Sequence, residues 1–533
     1  MNQVEIKRRQ LQIVSVILML ITLTVIAHLV GYNGAAYTVA AAEAFAVLWL
    51  VVGGNLSDVL GRLLRIRNSK GQYRNAERLR KNTLIFQLVL GLAGSLALLF
   101  GADWLAHSVF RIRYSTFIIM VLSPALLLRT VSAVLMGYFQ GEGSELPTAA
   151  AGLLRQVLVL VFSLLFCRIL GSYGEKVSKL LVQENFKSMY GGVGVALAVS
   201  VAELLVLIFL LLYYRGSRKA GEKSRQEGMR TVDSFADSVR SLCAARGLQW
   251  LTGLLAFIPV PLGLIFLQKR AESEAVLLDY GVFGAGYWVL GGCWTALIML
   301  SLIPIYSRTV VCLRKDEQRF ARNVFQGGFH IAVVHAAFAS IFLSVMADQL
   351  AAVIAPGQVQ VAARMFKGGG AAVLFLTLSL YFGRFLILSG GKLFVLCAVG
   401  AADVIYIIVM SVLLNAGDTG VMALVYAGML SLGVLCVLLG VLAYRQLRTR
   451  PDWLQVIVVP AGVTAVTGLV CMLLGRVVTP HLGEAFSAVI IFVLGFALYW
   501  VLLMLLRNFR EQELETIPGG KLIRALGQML RVF

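Results

Sequence analysis

Fourteen long apolar segments constrain the fold of this 533-residue chain more than any other feature. A helix needs about 20 apolar residues to cross the hydrocarbon core of a bilayer, and these segments contain roughly 17 to 28 each. The sequence therefore predicts an all-α, polytopic membrane protein with about 14 transmembrane helices. The predicted spans are residues 11–30, 37–57, 83–106, 115–139, 148–170, 191–214, 248–267, 281–305, 328–354, 368–389, 393–414, 419–443, 453–477 and 484–506.

The composition argues against a soluble catalytic domain. Apolar residues make up 59% of the chain and charged residues 14%, whereas soluble proteins have about 45–50% and about 25%. The longest polar segment, near residues 215–246, is too short to bury a core of its own. The chain has no CxxC pair, no cluster of His and carboxylates at metal-ligand spacing and no Gly-rich phosphate loop. We therefore predict a protein that is not an enzyme, with no catalytic residues, no metal site and no cofactor.

The distribution of charge predicts how the chain is oriented. The formal net charge is +20, and most of the 47 Lys and Arg lie in the N-terminal segment, in the loops after even-numbered spans and in the tail. By the positive-inside rule, both termini are predicted to be cytoplasmic. The basic surface then faces anionic membrane lipids, and we expect no nucleic-acid partner.

An internal sequence repeat divides the predicted spans into two lobes. The segment Ser57–Leu60 resembles 307–310, and Gly137–Phe139 resembles 380–382, at a spacing of about 250 residues that indicates a duplication of six spans. An even-numbered repeat keeps its orientation, so the lobes are predicted to be parallel, with the substrate between them. The predicted organisation is an N-lobe at 1–214 (spans 1–6), a basic cytoplasmic linker at 215–247, a C-lobe at 248–444 (spans 7–12), spans 13–14 at 445–506 and an amphipathic cytoplasmic tail at 507–533.

Charged residues inside the predicted spans are the candidate functional groups, because each is costly in a membrane and usually faces a cavity or a partner. Arg129 and Arg155 lie about 16 Å and about 12 Å from the cytoplasmic ends of neighbouring spans. The guanidinium fork suits phosphate, so one interpretation is an anion site open to the cytoplasm. The alternative is that both arginines form structural ion pairs with Glu43, Glu203 or backbone carbonyls.

Three carboxylates inside predicted spans are candidates for binding a coupling proton or sodium ion: Glu43, Glu203 and Asp403. Structural pairing, or a carboxyl group that stays protonated, is the alternative for each. Two prolines in span 7, Pro259 and Pro261, predict a hinge, because a proline inside a helix removes a backbone hydrogen bond.

The junction of spans 4 and 5 carries a recognisable motif, with Gly137, Tyr138, Phe139, Gln140 and Gly141 followed by Pro147. It resembles the signature of the polysaccharide transporter and lipid II flippase branch of the multidrug/oligosaccharidyl-lipid/polysaccharide (MOP) exporter superfamily, of the stage V sporulation protein B and MviN type. Further agreement comes from Gly31, Gly34 and Tyr37 after span 1, from the Gln72-Tyr73 loop and from the tail segment 518–521. The chain departs from the signature at four positions: Met136, Ala151, Gly152 and Arg155.

The resemblance implies a flippase that works by alternating access in a bacterial cytoplasmic membrane. Its substrate would be an undecaprenyl-pyrophosphate-linked cell-wall or polysaccharide precursor, with the head group between the lobes and the lipid tail along spans 13 and 14. The implied partners are this lipid-linked oligosaccharide, membrane lipids and a coupling ion, H⁺ or Na⁺. Two alternatives stay open: an ion-coupled exporter of drugs or metabolites of the same superfamily, and a non-transporting partner in envelope biosynthesis, which the departures from the motif favour.

Overall fold

The computed structural model describes residues 3–183, 185–221, 233–270, 273–417, 419–449 and 452–509, and all regular structure in these ranges is helical. The chain divides into two units, Met1–Ala285 and Gly286–Phe533. The first contains α1 (Gln3–Val52), α2 (Leu56–Ser69), α3 (Tyr73–Trp104), α4 (Thr116–Gly141), α5 (Leu146–Leu181), α6 (Asn185–Gly221), α7 (Phe235–Phe257), α8 (Pro259–Arg270) and α9 (Glu274–Val282). The second contains α10 (Val289–Arg314), α11 (Gln318–Val345), α12 (Ala347–Ile354), α13 (Val359–Gly369), α14 (Ala371–Leu388), α15 (Lys392–Asn415), α16 (Met422–Leu447) and α17 (Val459–Leu505).

The predicted all-α, multi-pass membrane architecture is confirmed. Within the described ranges, 12 helical segments are long and apolar enough to cross a membrane. Ten correspond to one predicted span each, and two, Val4–Ser69 and Leu454–Leu505, contain two each. A straight helix of the length of α1, 50 residues, would extend for about 75 Å, more than twice the hydrocarbon thickness of about 30 Å.

The last of these long segments reverses direction at Gly483, whose φ of 74° and ψ of 168° interrupt α17. Residues far apart in sequence come together on either side of it: the hydroxyls of Thr464 and Tyr499 lie 3.5 Å apart, and those of Thr479 and Ser487 lie 3.3 Å apart. The two halves of α17 are therefore an antiparallel hairpin, and they correspond to predicted spans 13 and 14.

The packing of α4, α5 and α6 fixes the directions of the neighbouring helices. Helices α5 and α6 run antiparallel, because Gly174 lies against the start of α6 at Phe186 while Gly194 lies against Cys167, earlier in α5. Helix α4 runs parallel to α6, since Ser200 donates to the carbonyl of Val121 and both helices later bring aromatic rings together. Helices α4 and α5 consequently run in opposite directions.

Helix α1 also reverses, at Gly31, where φ is 71° and ψ is 168°. Its first half runs parallel to α5, because Arg8 pairs with Glu145 beside the start of α5 and later residues of both helices share one apolar cluster. Its second half runs parallel to α4: the carbonyl of Tyr37 accepts a hydrogen bond of 3.1 Å from Ser115, just before α4 begins, and the ring of Trp49 lies 4.9 Å from the guanidinium carbon of Arg129, later in α4. Because α4 and α5 are antiparallel, the two halves of α1 are antiparallel and correspond to predicted spans 1 and 2.

The predicted linker at 215–247 contains helical structure at both ends, with residues 222–232 outside the described ranges. Helix α6 continues to Gly221, and α7 begins after Ser234, which forms a capping box with Asp237. The start of α7 contacts α3 through a hydrogen bond of 2.9 Å, which the side-chain amide of Asn82 donates to the hydroxyl of Ser238. At the non-helical residue Gly247 (φ 22°, ψ −122°), the chain leaves this docked segment and enters predicted span 7.

Aromatic packing organises the second unit. Rings from α11, α14 and α16 form one cluster, in which Phe325 lies 4.6 Å from Phe385 and 5.6 Å from Tyr444 between ring centroids. The hydroxyl of Tyr499 in α17 donates to the carbonyl of Val334 at 2.9 Å, which joins the C-terminal hairpin to α11. The tail is described only to residue 509, so most of the predicted amphipathic segment, including 518–521, lies outside the described ranges.

One predicted span boundary differs from the structure. Predicted span 9 covers 328–354, but α11 ends at Val345, and Met346 (φ −93°, ψ 20°) separates it from α12. The boundary between the two units falls at Ala285, within a π-helical turn at Phe283–Trp288, so that α7, α8 and α9 belong to the first unit. The parallel six-helix lobes stay a prediction.

Candidate functional site

Three charged side chains meet in the first unit, one from each of three helices: Arg129 (α4), Arg155 (α5) and Glu203 (α6). The Nε of Arg155 lies 2.8 Å from Oε1 of Glu203, and NH2 of Arg155 donates to Oε2 at 3.1 Å. The Nε of Arg129 lies 3.8 Å from Oε1. The two arginines predicted to lie at similar depth thus converge on one carboxylate, and we name these three residues the arginine cluster.

The arginine cluster is buried unevenly. The side chain of Glu203 is 1% exposed, that of Arg155 18% and that of Arg129 33%. Among the described residues, neither the Nε of Arg155 nor Oε1 of Glu203 has an aligned hydrogen-bond partner, despite their proximity. The ion pairing that the sequence offered as one interpretation is present, but two guanidinium groups share one carboxylate, and the cluster keeps one net positive charge.

Aromatic rings from α1 cover the guanidinium of Arg129. Its central carbon lies 4.9 Å from the ring centroid of Trp49 and 5.8 Å from that of Phe45. Residues at i and i+4 share one face of a helix, so both rings reach the same neighbour. Neither ring was identified from the sequence; their spacing in predicted span 2 was the available signal. These rings stabilise the guanidinium of Arg129 by cation–π attraction.

Glu43 lies outside the arginine cluster. It is only two residues before Phe45, and successive positions turn by about 100° around a helix, so its side chain points to nearly the opposite side of α1. There it is 6% exposed and accepts a hydrogen bond from the hydroxyl of Tyr280 in α9, while its Oε2 has no hydrogen-bond partner within the described part of the chain. Close packing reinforces this contact, because a Cβ on Gly281 would overlap the carbonyl oxygen of Tyr32.

The third predicted coupling residue, Asp403, lies in α15 of the second unit. Its side chain is of intermediate exposure, and its Oδ2 is buried with no hydrogen-bond partner among the residues described. The structure therefore separates the three predicted carboxylates into different environments: one paired with arginines, one with a tyrosine and one in the second unit. Their roles in ion coupling stay predictions.

The motif residues after span 1 shape the reversal of α1. Gly31 adopts the positive φ at which the chain turns, a conformation that favours glycine. A Cβ on Gly34 would lie 2.9 Å from the carbonyl oxygen of Ser188, so this position also requires a close approach. Tyr37 is 2% exposed, and its ring lies 5.3 Å from that of Tyr114.

The motif at the end of α4 packs helices together. A Cβ on Gly137 would lie 3.0 Å from the carbonyl oxygen of Ser57, and one on Gly141 would lie 2.6 Å from Cβ of Leu64, so α4 and α2 meet along this pair of glycines.

The rings of Tyr138 and Phe139 pack edge-on against Tyr214 and Tyr213 of α6. The carbonyl of Gln140 accepts a hydrogen bond of 2.8 Å from Arg65, and Pro147 is buried in the first turn of α5.

The predicted hinge lies at a helix boundary. Helix α7 ends at Phe257 and α8 begins at Pro259, so Ile258 separates them, with its backbone still in the right-handed helical region. Pro261 is buried in the first turn of α8. The interruption is where two prolines predict it, and its movement as a hinge stays a prediction.

Comparisons with known proteins support the resemblance drawn from the motifs. No family model matches the chain. It is 19% identical over 520 residues to stage V sporulation protein B of Bacillus subtilis (strain 168), covering 94% of each chain. Among solved structures, it is similar to the lipid II flippase MurJ in an inward closed conformation (TM-score 0.65, 11% identity, 92% of this chain and 96% of that one). It is also similar to an inward-facing MATE multidrug resistance transporter of the MOP superfamily (TM-score 0.57, 14% identity, 83% and 94%).

Proposed function

Because the chain has the fold of the MOP superfamily and resembles its lipid II flippase branch, we propose that it flips a polyprenyl-pyrophosphate-linked precursor of the cell wall or of a polysaccharide across the cytoplasmic membrane. A polyprenyl chain is apolar and stays in the hydrocarbon core of the bilayer, so only the polar head group has to cross. A site inside the protein spares the head group the cost of entering hydrocarbon without partners. Alternating access between two lobes is the movement that such a fold uses.

The observation that carries this proposal is the arginine cluster, which retains a net positive charge within membrane-spanning helices. A pyrophosphate has at least two negative charges, and guanidinium groups bind phosphate oxygens through paired donors. Arg129 is the more exposed of the two arginines, and Arg155 adds a second guanidinium group beside the same carboxylate.

Binding of a polyprenyl-pyrophosphate-linked sugar to the purified chain, measured by native mass spectrometry, tests the proposal. Each charge-assisted contact is worth about 1.5–3 kcal/mol, so Arg129→Ala should weaken binding by about ten- to a hundred-fold. Arg129→Lys should restore only part of it, because the planar fork is lost. Arg168→Ala is a matched control, since this exposed arginine of α5 lies outside the arginine cluster.

Arg155 needs a different substitution, because its removal leaves the buried Glu203 without its closest partner and costs about 3–5 kcal/mol of stability. The variant Arg155→Gln combined with Glu203→Gln removes both charges of the pair and should still lose affinity relative to Glu203→Gln alone. If Arg129→Ala and this double variant both bind the lipid like their parents while folded, the proposed function is wrong.

A second candidate function, ion-coupled export of a drug or metabolite, is favoured by the likeness to MATE transporters and by the two buried carboxylates of the first unit. The same experiment separates the candidates. Removing the charge of Arg129 should leave the binding of an organic cation unchanged or make it tighter, whereas binding of a pyrophosphate lipid should weaken.

A further inference from the structure

Glu203 already occupies the position that a ligand anion would take on Arg155. NH2 of Arg155 donates a hydrogen bond of 3.1 Å to Oε2 of Glu203, and Nε lies 2.8 Å from Oε1 without an aligned hydrogen bond. A carboxylate and a phosphate use the same guanidinium fork, so the two anions compete for it directly. Since Glu203 is 1% exposed, water does not satisfy its charge, and the arginines are its counterions.

Arg129 is held differently from Arg155. Its Nε is 3.8 Å from Glu203, beyond hydrogen-bond range, and the rings of Trp49 and Phe45 stabilise its guanidinium by cation–π attraction. Its side chain is 33% exposed, nearly twice the 18% of Arg155. In the structure, Arg155 is therefore engaged by Glu203, while Arg129 is the cation left for a ligand.

We propose that Glu203 is a built-in competitor for the anionic head group: it holds Arg155 when no substrate is bound, and the substrate displaces it. This inference rests on the proposed function, because the displacing anion is the same pyrophosphate. Arg129 makes the first contact, and Arg155 is released from Glu203 to make the second. Any affinity gained at Arg155 is reduced by the contact with Glu203 that is lost, so the head group binds less tightly than two free arginines would allow.

Such a competitor suits a carrier, because a head group that crosses the membrane has to leave the site on the other side. It also explains why the most buried member of the cluster is an acidic residue, which lowers the cost of placing two cations in membrane-spanning helices. Glu203 is hydrogen-bonded to NH2 of Arg155, a nitrogen that a phosphate oxygen would also use.

Binding of undecaprenyl pyrophosphate without a sugar to the full chain, by native mass spectrometry, tests the inference. We expect Glu203→Gln to bind this lipid about ten- to a hundred-fold more tightly than wild type, the change that corresponds to removing one competing charge-assisted contact. Glu203→Asp keeps the charge but withdraws it from Arg155, and it should bind more tightly than wild type by a smaller factor. Glu175→Gln makes the same chemical change at an exposed position of α5 that pairs with Lys179 and should leave affinity unchanged.

Glu203→Asp retains a buried anion and keeps the test valid if Glu203→Gln is too unstable to purify. Unchanged or weaker binding by the folded Glu203 variants, together with weaker binding by Arg129→Ala, would refute the competitor role of Glu203 without refuting the proposed flippase function. Unchanged binding by both Arg129→Ala and the double variant Arg155→Gln with Glu203→Gln would instead remove the anion site and the proposed function with it.

Discussion

Replacing Gly141 with alanine tests whether the motif at the end of α4 serves helix packing or ligand binding. The added Cβ would lie 2.6 Å from Cβ of Leu64 and 3.1 Å from its Cδ1, whereas ordinary van der Waals contact begins at 3.4 Å. The nearer atom is attached directly to the backbone of α2, so a change of side-chain rotamer does not relieve the overlap. Helix α2 or α4 has to move.

The expected cost follows from comparison with a glycine in open surroundings. Overpacking a close-packed contact costs about 1–3 kcal/mol, while replacing a helical glycine by alanine gains up to about 1 kcal/mol of helix propensity. At Gly171, in α5, an added Cβ would have no neighbouring atom within 4 Å, so Gly171→Ala isolates the propensity gain. Gly141→Ala should therefore be less stable than Gly171→Ala by about 1–3 kcal/mol.

Thermal unfolding of both variants in one detergent measures this difference, and lipid binding of the folded fraction separates packing from recognition. We expect a lower melting temperature for Gly141→Ala, with the folded fraction binding lipid normally. If the two variants unfolded at the same temperature, the packing role of Gly141 would be refuted. Normal stability with lost lipid binding would place the motif in the ligand site.

Two further predictions concern orientation and coupling. The charge asymmetry predicts that, in a cysteine-free background, a cysteine at Ser69 is labelled only from the cytoplasm and one at Ser188 only from outside. Labelling of Ser188 from the cytoplasm would refute the fourteen-span count. Glu43→Gln should abolish ion-dependent transport with normal expression, because the amide cannot bind a coupling ion as the carboxylate does, whereas Tyr280→Phe should retain coupling. If Glu43→Gln transported like wild type in an ion-gradient assay, Asp403 would be the next candidate.

The relative depth of Arg129 and Arg155 could be predicted because a short turn joins α4 to α5. Both residues are counted from that turn, and the fixed rise of a helix converts the count into depth. The partner Glu203 could not be assigned in the same way. Predicted span 5 ends at residue 170 and predicted span 6 begins at residue 191. In the structure, α5 continues to Leu181 and α6 starts at Asn185, so the apolar pattern underestimates the lengths of both helices.

The contacts that the sequence did not predict involve residues that look unremarkable in an apolar segment. Tyr280, Phe45 and Trp49 each resemble an ordinary membrane-facing aromatic until the neighbouring helix is known. Their partners are distant along the chain and are brought close only by folding, as with Tyr280 and Glu43 at a separation of 237 residues. Hydropathy identifies which segments cross the membrane, but the rotation of each helix depends on packing against its neighbours.

The arginine cluster reconciles two opposing requirements on a site for an anionic head group. Two cations in membrane-spanning helices are costly, so stability favours neutralising them, whereas recognition of a pyrophosphate needs positive charge that is available. Glu203 meets the first requirement at Arg155, and the rings of Trp49 and Phe45 stabilise Arg129 without removing its charge. The two ion pairs differ in distance: Arg155 lies 2.8 Å from Glu203, whereas Arg129 lies 3.8 Å away, beyond hydrogen-bond range.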